Sequence, residues 1–428
     1  MLQNLKIAVV GMGYVGLPIA VAFNQKYPVT GYDVNTERIQ ALTLGLDKTN
    51  EVSRDELAKS SIIFTADPMD LKEAGFIIIA VPSAIDQDSV PDLSALKKAS
   101  KCVGEHMKKG AVVVYESIVA PGMTEEVCIP LLEKYSGYES GKEFFVGYSP
   151  ARMVPGDRKN NFTKVKKVVA GQNEEVTEFL AMVYGSIVGG GIHKAPSIRV
   201  AETAKLIENI QRDVNVALIN ELALICERLK IDTQQVLETA GSKRDFLKVA
   251  PGLVGGQGID LASVYLANKA ESIGHSSQVI LSGRSINEGM SSFIAQSLIK
   301  KMSQDNISPA DGRVIVLGLS YQEDIPDLRN SKVIGIVQEL RKSGMDVQLA
   351  DSYACAKDAE SHFGSKLLSH QQLEPAHAVI LAVPHKQYKE GGWKQFEGLL
   401  IGQQGIVFDI KGALDAKKKP EKIQLWRL

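Results

Sequence analysis

Short apolar runs separated by amphipathic stretches organise the first part of the chain. Leu5–Val10 is one such run; it leads into a glycine-containing turn, and a helix continues from there through roughly Lys26. Phe76–Val81 and Ala111–Tyr115 are apolar at every position and rich in β-branched residues. Runs of strand length without alternation predict strands covered on both faces, as in a parallel sheet with helices on either side. Strands and helices in alternation then predict an α/β architecture with right-handed crossovers.

The period changes at Ser197. Leu206, Ile210, Val214, Leu218 and Leu222 recur every four residues in a stretch to about Leu229 that holds neither proline nor glycine. That pattern predicts one long helix, suited to joining two domains and to forming an oligomer interface. Further helices are expected over Thr233–Ala240, Leu261–His275 and through the 280s. Strand-like runs return at Arg313–Leu317, Val347–Ala350, Ala378–Val383 and Ile406–Asp409. FIIIAVPS near residue 80 and AVILAVPH near residue 382 echo each other, which suggests two similar nucleotide-binding-type domains. The expected fold is therefore α/β, with two doubly wound domains joined by a long central helix and a helical segment. The expected division is 1–196, 197–298 and 299–428.

Composition narrows this little further. A length of 428 residues suits two to three domains, and a net charge of −1 argues against a broadly basic nucleic-acid surface. The start, MLQNLKIAVV, lacks the basic and apolar regions of a secretion signal, and no apolar run approaches membrane-spanning length. A cytoplasmic location, with no membrane and no nucleic-acid partner, is expected. Cys102, Cys128, Cys226 and Cys355 are too scattered for a disulfide framework or a zinc site, so no metal is expected.

Chemistry enters with Gly11-Met12-Gly13-Tyr14-Val15-Gly16, which follows the first strand and opens a helix. Glycines at these spacings allow a tight turn, approach of a pyrophosphate to backbone N–H groups, and close helix–strand packing. Asp33 follows about 20 residues on, after Val29-Thr30-Gly31-Tyr32. An acid there binds a ribose 2′-hydroxyl and repels a 2′-phosphate, which favours NAD over NADP. The alternative is a glycine-rich turn in a domain that binds nothing. Arg38, Pro82 and Ser83 complete the candidate cofactor set read from this Rossmann-like pattern. In the C-terminal region Gly318 follows a strand and Asp351 ends the next, but no GxGxxG is present, so no dinucleotide is expected there.

Several stretches together resemble the UDP-sugar 6-dehydrogenase family, most closely its UDP-N-acetylhexosamine branch. They are GMGYVGLPIA, VVVYESIVAPGMTEE, VGYSPARMVPGD, AETAKLIENIQRDVNVALINELA, PGLVGGQGI and PDLRNSK, in that order along nearly the whole chain. The resemblance implies an NAD domain, a central helical dimerisation region, a UDP-binding domain, and a role in surface-polysaccharide precursor synthesis. It also implies four-electron oxidation of a sugar CH2OH to a carboxylate, with a cysteine thiolate trapping the aldehyde. This chain reads Gly255-Gly256-Gln257-Gly258-Ile259 where the family pattern is Gly-Gly-His-Cys-Ile, so Gly258 stands at the cysteine position. Ile118 stands for the family threonine of Ser-Thr-Val, Ala151 for the glutamate of Ser-Pro-Glu, and Ala262 for the aspartate after the cysteine loop. Cys226 is no evident replacement, since it lies on the apolar pattern of the long helix.

Other family positions persist. Lys205 and Asn209 stand four apart on the long helix and match residues that hold the sugar hydroxyl and stabilise a developing oxyanion; the alternative is a solvated helix face. Ser117 matches the serine beside the nicotinamide. Arg329 matches an arginine that reaches the substrate, although a lone arginine also suits a surface. Arg152, Phe246, Gly255 and Gly256 complete the substrate set with Arg244 and Lys248, two cations that replace apolar or neutral family residues. They suit a sugar that already carries a carboxylate, or they compensate Asp260. Tyr115 and Glu116 are candidate proton relays.

Three readings follow. The first, favoured by the four losses, is a C4-epimerase of a UDP-N-acetylhexosaminuronate working with bound NAD. The second is a UDP-N-acetylhexosamine 6-dehydrogenase using a route without cysteine. The third is a catalytically silent paralogue that binds nucleotide sugar. A homodimer is expected in each case.

Overall fold

A computed structural model describes residues 5–86, 90–152, 162–256 and 258–428. The chain divides into two compact units, one made of Met1–Asn209 with Leu261–Ser276, the other of Ile210–Asp260 with Ser277–Leu428.

The N-terminal unit holds β1 (Ile7–Val10), β2 (Val29–Tyr32), β3 (Ile63–Thr65), β4 (Phe76–Ile79), a small ribbon of β5 (Ala84–Ile85) and β6 (Pro91–Asp92), then β7 (Val112–Tyr115), β8 (Phe145–Tyr148), β9 (Lys167–Gly171) and β10 (Ile192–Lys194). All but the ribbon form one sheet in the order β10-β9-β8-β7-β4-β1-β2-β3. Every pairing in it is parallel except β8 with β9. Leaving the ribbon aside, its first six strands take the 3-2-1-4-5-6 order of a dinucleotide-binding fold. The unbroken apolar runs are explained by burial on alternate faces. Ile7, Val9, Phe76 and Ile78 enter one core, while Ala8, Val10, Ile77 and Ile79 enter the opposite one.

The C-terminal unit has a fully parallel sheet of β11 (Arg313–Leu317), β12 (Asp346–Ala350), β13 (Ala378–Leu381), β14 (Gly405–Asp409) and β15 (Ile423–Arg427), ordered β12-β11-β13-β14-β15. This is the 2-1-3-4-5 doubly wound order. The last strand has no unbroken apolar run and escapes the sequence pattern. Trp426 on it stacks on Phe408 with ring centroids 4.2 Å apart.

The long helix spans Ile198–Leu229. Its expected four-residue stripe is only half right. Leu206 and Ile210 are buried, but Leu218 is exposed. Steps of four residues advance 400°, so the stripe drifts about 40° per step and roughly 120° between Leu206 and Leu218. Ala217, Asn220 and Ala223 form the buried face further along.

The two echoed sequence segments build the same turn twice. Gly11 N–H donates to the Tyr32 carbonyl at 2.8 Å, and Gly318 N–H donates to the Ala350 carbonyl at 2.9 Å. Met12 N–H donates to Asp33 Oδ2 at 2.7 Å, and Leu319 N–H to Asp351 Oδ2 at 2.6 Å. Both glycines have positive φ, +96° and +82°. A Cβ on Gly11 would lie 2.7 Å from the Ala80 carbonyl oxygen, and one on Gly318 would collide with the Val383 carbonyl. Ala80-Val81-Pro82 and Ala382-Val383-Pro384 are shared by the two segments, and their backbone, just past β4 and β13, lies against each turn. The turns differ one residue later. A Cβ on Gly13 would meet nothing within 4 Å. Its counterpart Ser320 is buried, with its hydroxyl donating to the Gln322 carbonyl at 2.7 Å.

Gly11→Ala and Gly318→Ala should therefore each destabilise their unit by about 2 kcal/mol or more, whereas Gly13→Ala should cost less than about 1 kcal/mol. Urea titration of the three variants checks this order, which depends on backbone conformation and room rather than on residue type.

Candidate active site

The first glycine turn is shaped to receive a dinucleotide. Gly16 sits so close to the Gly11 carbonyl that any side chain would collide with it, while the space above Gly13 is open. Both Asp33 oxygens accept backbone N–H groups, Oδ2 from Met12 at 2.7 Å and Oδ1 from Asn35 at 2.9 Å, which fixes the carboxylate at the end of β2. Arg38 donates from Nε to the Met12 carbonyl at 2.8 Å and pairs through Nη2 with buried Asp47 at 2.7 Å. Its Nη1 is buried without a hydrogen-bond partner among the described residues. A cradle that only glycine permits, a fixed acid and an unsatisfied guanidinium donor fit NAD, which supplies a hydride acceptor when bound. Tyr14 and Val15 are half-buried in the turn. Ser83 Oγ donates to the Ile118 carbonyl at 2.6 Å and Ser117 Oγ to the Val81 carbonyl at 2.7 Å. These crossed bonds hold together the segments that leave β4 and β7, where Pro82, Ser83, Ser117, Ile118 and Tyr265 line a recess.

Behind Ser117 lies a sealed ion pair. Glu116 and Lys167 are both fully buried and bonded to each other, and Tyr184 donates to Glu116 Oε1 at 2.7 Å. Lys167 Nζ also donates to the carbonyls of Ser149 and Pro150, each at 3.1 Å. Desolvation raises the Glu116 carboxyl and lowers the Lys167 ammonium, while their mutual attraction opposes both shifts. Neither candidate relay is placed for proton transfer. Glu116 is locked in this pair, and the Tyr115 side chain points to the opposite face of the sheet, where its hydroxyl meets Ser100 at 2.8 Å inside the core. Strand alternation turns these neighbours to opposite faces, and both faces are covered.

Lys205 is partly buried on the long helix, and its ammonium is pushed down to about 8, chiefly by burial. Glu208 opposes the shift, and Lys167 and Arg152 reinforce it. Arg152 bonds Glu208 and the Lys166 carbonyl, the latter at 3.2 Å, so the structure shows an intramolecular partner where a substrate contact is expected. Asn209 is partly buried, one turn beyond Lys205. Sequence reading missed Lys167, Glu208, Tyr184 and Asp47. Only Glu208 carried a signal, its i+3 spacing from Lys205.

In the C-terminal unit the glycine loop is tied down from two sides. Asn220 bonds both backbone groups of Gly252, at 2.8 and 3.0 Å, and continues through Asn287 to Asp213 and Arg284. Asn330 donates to the Gly256 carbonyl at 2.8 Å and to Asp260. Gly255 and Gly256 are required by crowding, since a Cβ on either would press on the Asn330 carbonyl or the Tyr321 ring. Lys332 stands 3.7 Å from Asp260. Asp260 thus has its counter-charge at Lys332, and Arg244 and Lys248, both exposed, do not compensate it. Phe246 is partly buried between them. Arg329 makes a two-point ion pair with Asp327, at 2.8 and 2.9 Å. Residues 153–157 of the SPARMVPGD stretch and Gln257 of the glycine loop lie outside the described residues. Cys226 and Cys128 are buried, as expected for the former; Cys102 is half-buried and Cys355 exposed.

Three family models match the chain in sequence: the NAD-binding domain of the UDP-glucose/GDP-mannose dehydrogenase family over residues 5–188, its central domain over 199–289 and its UDP-binding domain over 315–416. The chain is 49% identical over 426 residues to Protein CapL of Staphylococcus aureus, covering all of both chains. It is 44% identical to a UDP-N-acetyl-D-glucosamine 6-dehydrogenase of Pseudomonas aeruginosa, covering 97% of this chain and 99% of that one. The solved structure of a UDP-D-ManNAc dehydrogenase from Pyrococcus horikoshii superposes with a TM-score of 0.87 at 30% identity, covering 99% of each. Full-length identity to a net 6-dehydrogenase overturns the expected C4-epimerase: differences at four positions do not outweigh 44% identity over 418 residues. No helix among the described residues is long and apolar enough to cross a membrane. The cradle fitted to NAD, the second doubly wound unit and the full-length relationships together establish that the chain belongs to the UDP-glucose/GDP-mannose dehydrogenase family, whose members are NAD-dependent.

Proposed function

We propose that this protein is a UDP-N-acetylglucosamine 6-dehydrogenase that makes a nucleotide-sugar uronate for surface polysaccharide. The observation that carries this reading is 44% identity across nearly the entire length of an enzyme of that name. The geometry supports it, because the dinucleotide cradle and Lys205 belong to one unit.

Lys205 is the chain's own contribution to the chemistry. As an ammonium it donates to the sugar oxygen and stabilises negative charge there as the hydroxyl proton passes to solvent water, and Asn209 on the same helix face offers an amide donor. Gly258 has no side chain, Cys128 and Cys226 are buried, Cys102 is bonded to the Tyr32 hydroxyl and Cys355 belongs to the C-terminal unit, so in this reading the aldehyde is not held as a thiohemiacetal. Water adds to it instead. The alcohol loses two electrons to give the aldehyde, water gives the gem-diol, and the diol loses two more electrons and its protons to give the carboxylate. One ammonium serves both oxidations, because a gem-diol presents the same C–H and O–H pair as an alcohol.

Two molecules of NADH per UDP-N-acetylglucosamine consumed are expected, counted by absorbance against product quantified by proton NMR. Complete alkylation of the accessible cysteines with iodoacetamide should leave the rate within about twofold. Absence of NADH would sink the dehydrogenase reading, and loss of activity on alkylation would sink the route without thiol. Lys205→Met should lower kcat by about 10²–10³. Because the working form is the ammonium and burial depresses it, kcat/KM should fall as pH rises through about 8.

A homodimer is part of the same proposal. Leu218, Ile225 and Leu229 are exposed on one face of the long helix, spaced seven and four apart. Light scattering after gel filtration should give twice the 46.4 kDa chain mass, and Leu218→Glu with Ile225→Glu should reduce it to one chain.

A further inference from the structure

Five charged side chains of the N-terminal unit converge on the region of Lys205. Glu116 directly follows β7, Lys167 opens β9, Arg152 lies in the segment after β8, and Lys205 and Glu208 are on the long helix. Their pairing is unequal. Glu116 and Lys167 neutralise each other inside the protein, and Glu208 is bonded to Arg152. Three cations thus face two carboxylates, and the excess positive charge is that of Lys205. The two carboxylates differ in what they can do for it. Glu116 is spent on Lys167 and Tyr184, with no exposure to solvent in its side chain. Glu208 is about one-third exposed, lies one helical turn from Lys205, and is the only acid within the first turn on either side that shares its face by i+3 or i+4 spacing, apart from Glu202, which is buried against Gly122 and Thr124.

We propose that Glu208 is a positioning residue that holds Arg152 beside the long helix and supplies the counter-charge that keeps Lys205 in its ammonium form. The inference rests on the reading of Lys205 as the group that meets the developing negative charge. Its physical basis is the balance of neighbours. Burial, Lys167 and Arg152 all push the Lys205 ammonium down, Glu208 is the leading opposing charge, and Glu116 adds less. Without Glu208 the carboxylate is lost while Arg152 remains, so two effects act in the same direction. A neutral Lys205 has one fewer proton to share with an oxyanion and no net charge to stabilise it.

The test uses the full chain and two variants. Competitive labelling with acetic anhydride over a pH series, read by mass spectrometry at the peptide carrying residue 205, reports Lys205 ionisation without any turnover. The wild-type midpoint is expected near pH 8. In Glu208→Gln it should fall by about one pH unit, the lower end of what a close opposite charge supplies. Glu208→Asp, which restores the charge on a shorter stem, should bring it back toward the wild type. The alkaline limb of kcat/KM should move with the labelling midpoint. An unmoved midpoint in a Glu208→Gln protein with wild-type thermal stability overturns the inference. If the midpoint falls but the kcat/KM limb stays in place, the electrostatic role of Glu208 stands and the reading of Lys205 fails.

Discussion

A single ion pair, Glu116 with Lys167, constrains much of the N-terminal unit. Removing two charges from water costs several kcal/mol per ion, and the attraction between them offsets this only when every remaining polar atom is satisfied. Here Tyr184 donates to the carboxylate, and the ammonium reaches the Ser149 and Pro150 carbonyls. The pair therefore joins the end of β7, the segment after β8, the start of β9 and the helix Glu174–Gly185. Ser117 follows directly from Glu116, and Arg152 lies two residues beyond Pro150. The positions of both are inherited from a contact that touches no ligand.

The same economy appears in the paired turns. One backbone design, a glycine at positive φ with an aspartate accepting the next N–H, occurs at Gly11 and at Gly318. What separates a dinucleotide cradle from a closed turn is a side chain at the following position. Gly13 leaves open space; Ser320 fills it, and His385, at the position matching Ser83, is fully buried against Asp351 at 3.0 Å. The His385 ring accepts the Asp324 N–H at Nδ1, at 2.8 Å, which leaves Nε2 to donate to Asp351. The second turn has thus tied its N–H donors into internal structure, with both Leu319 and Ser320 donating to Asp351.

The legible part of this fold is whatever local period controls. Strands buried on both faces read directly, because each residue of FIII or VVVY has a core to enter. β15 did not, since Gln424 and Arg427 interrupt its apolar positions. The stripe on the long helix was legible only for about two turns, before helical geometry rotated it away from the core. In the site, the glycine turn and Asp33 were readable because backbone chemistry dictates residue type at fixed spacing. Lys167 was not: a lysine opening a strand looks like a surface residue until tertiary packing supplies Glu116. Tyr115 misled for the converse reason, since being next to Glu116 in sequence turns it to the opposite face of the sheet, into a core. The charges of Arg244 and Lys248 invited pairing with Asp260, and only the fold reveals that Lys332 takes that role.

A thiolate that traps an aldehyde forms a thiohemiacetal, and that adduct is what gives up the second hydride. In the route proposed for this chain, with Gly258 at that place in the loop, the gem-diol is the species oxidised instead. Oxidation of the alcohol depends on a hydride acceptor and on a donor to the oxygen, and in the proposed reading both fall on the N-terminal unit, which holds Gly11, Gly13, Gly16, Asp33 and Lys205. In the proposed route water replaces the thiol as the group added to the aldehyde, and the direction of electron flow is the same. Epimerisation imposes a stronger demand, because the hydride must return to the opposite face of the same carbon, and that needs either two binding poses or a rotation of the bound sugar. The proposed net oxidation needs only one pose, and with the residues present its simplest course is the same oxidation with water in place of sulfur.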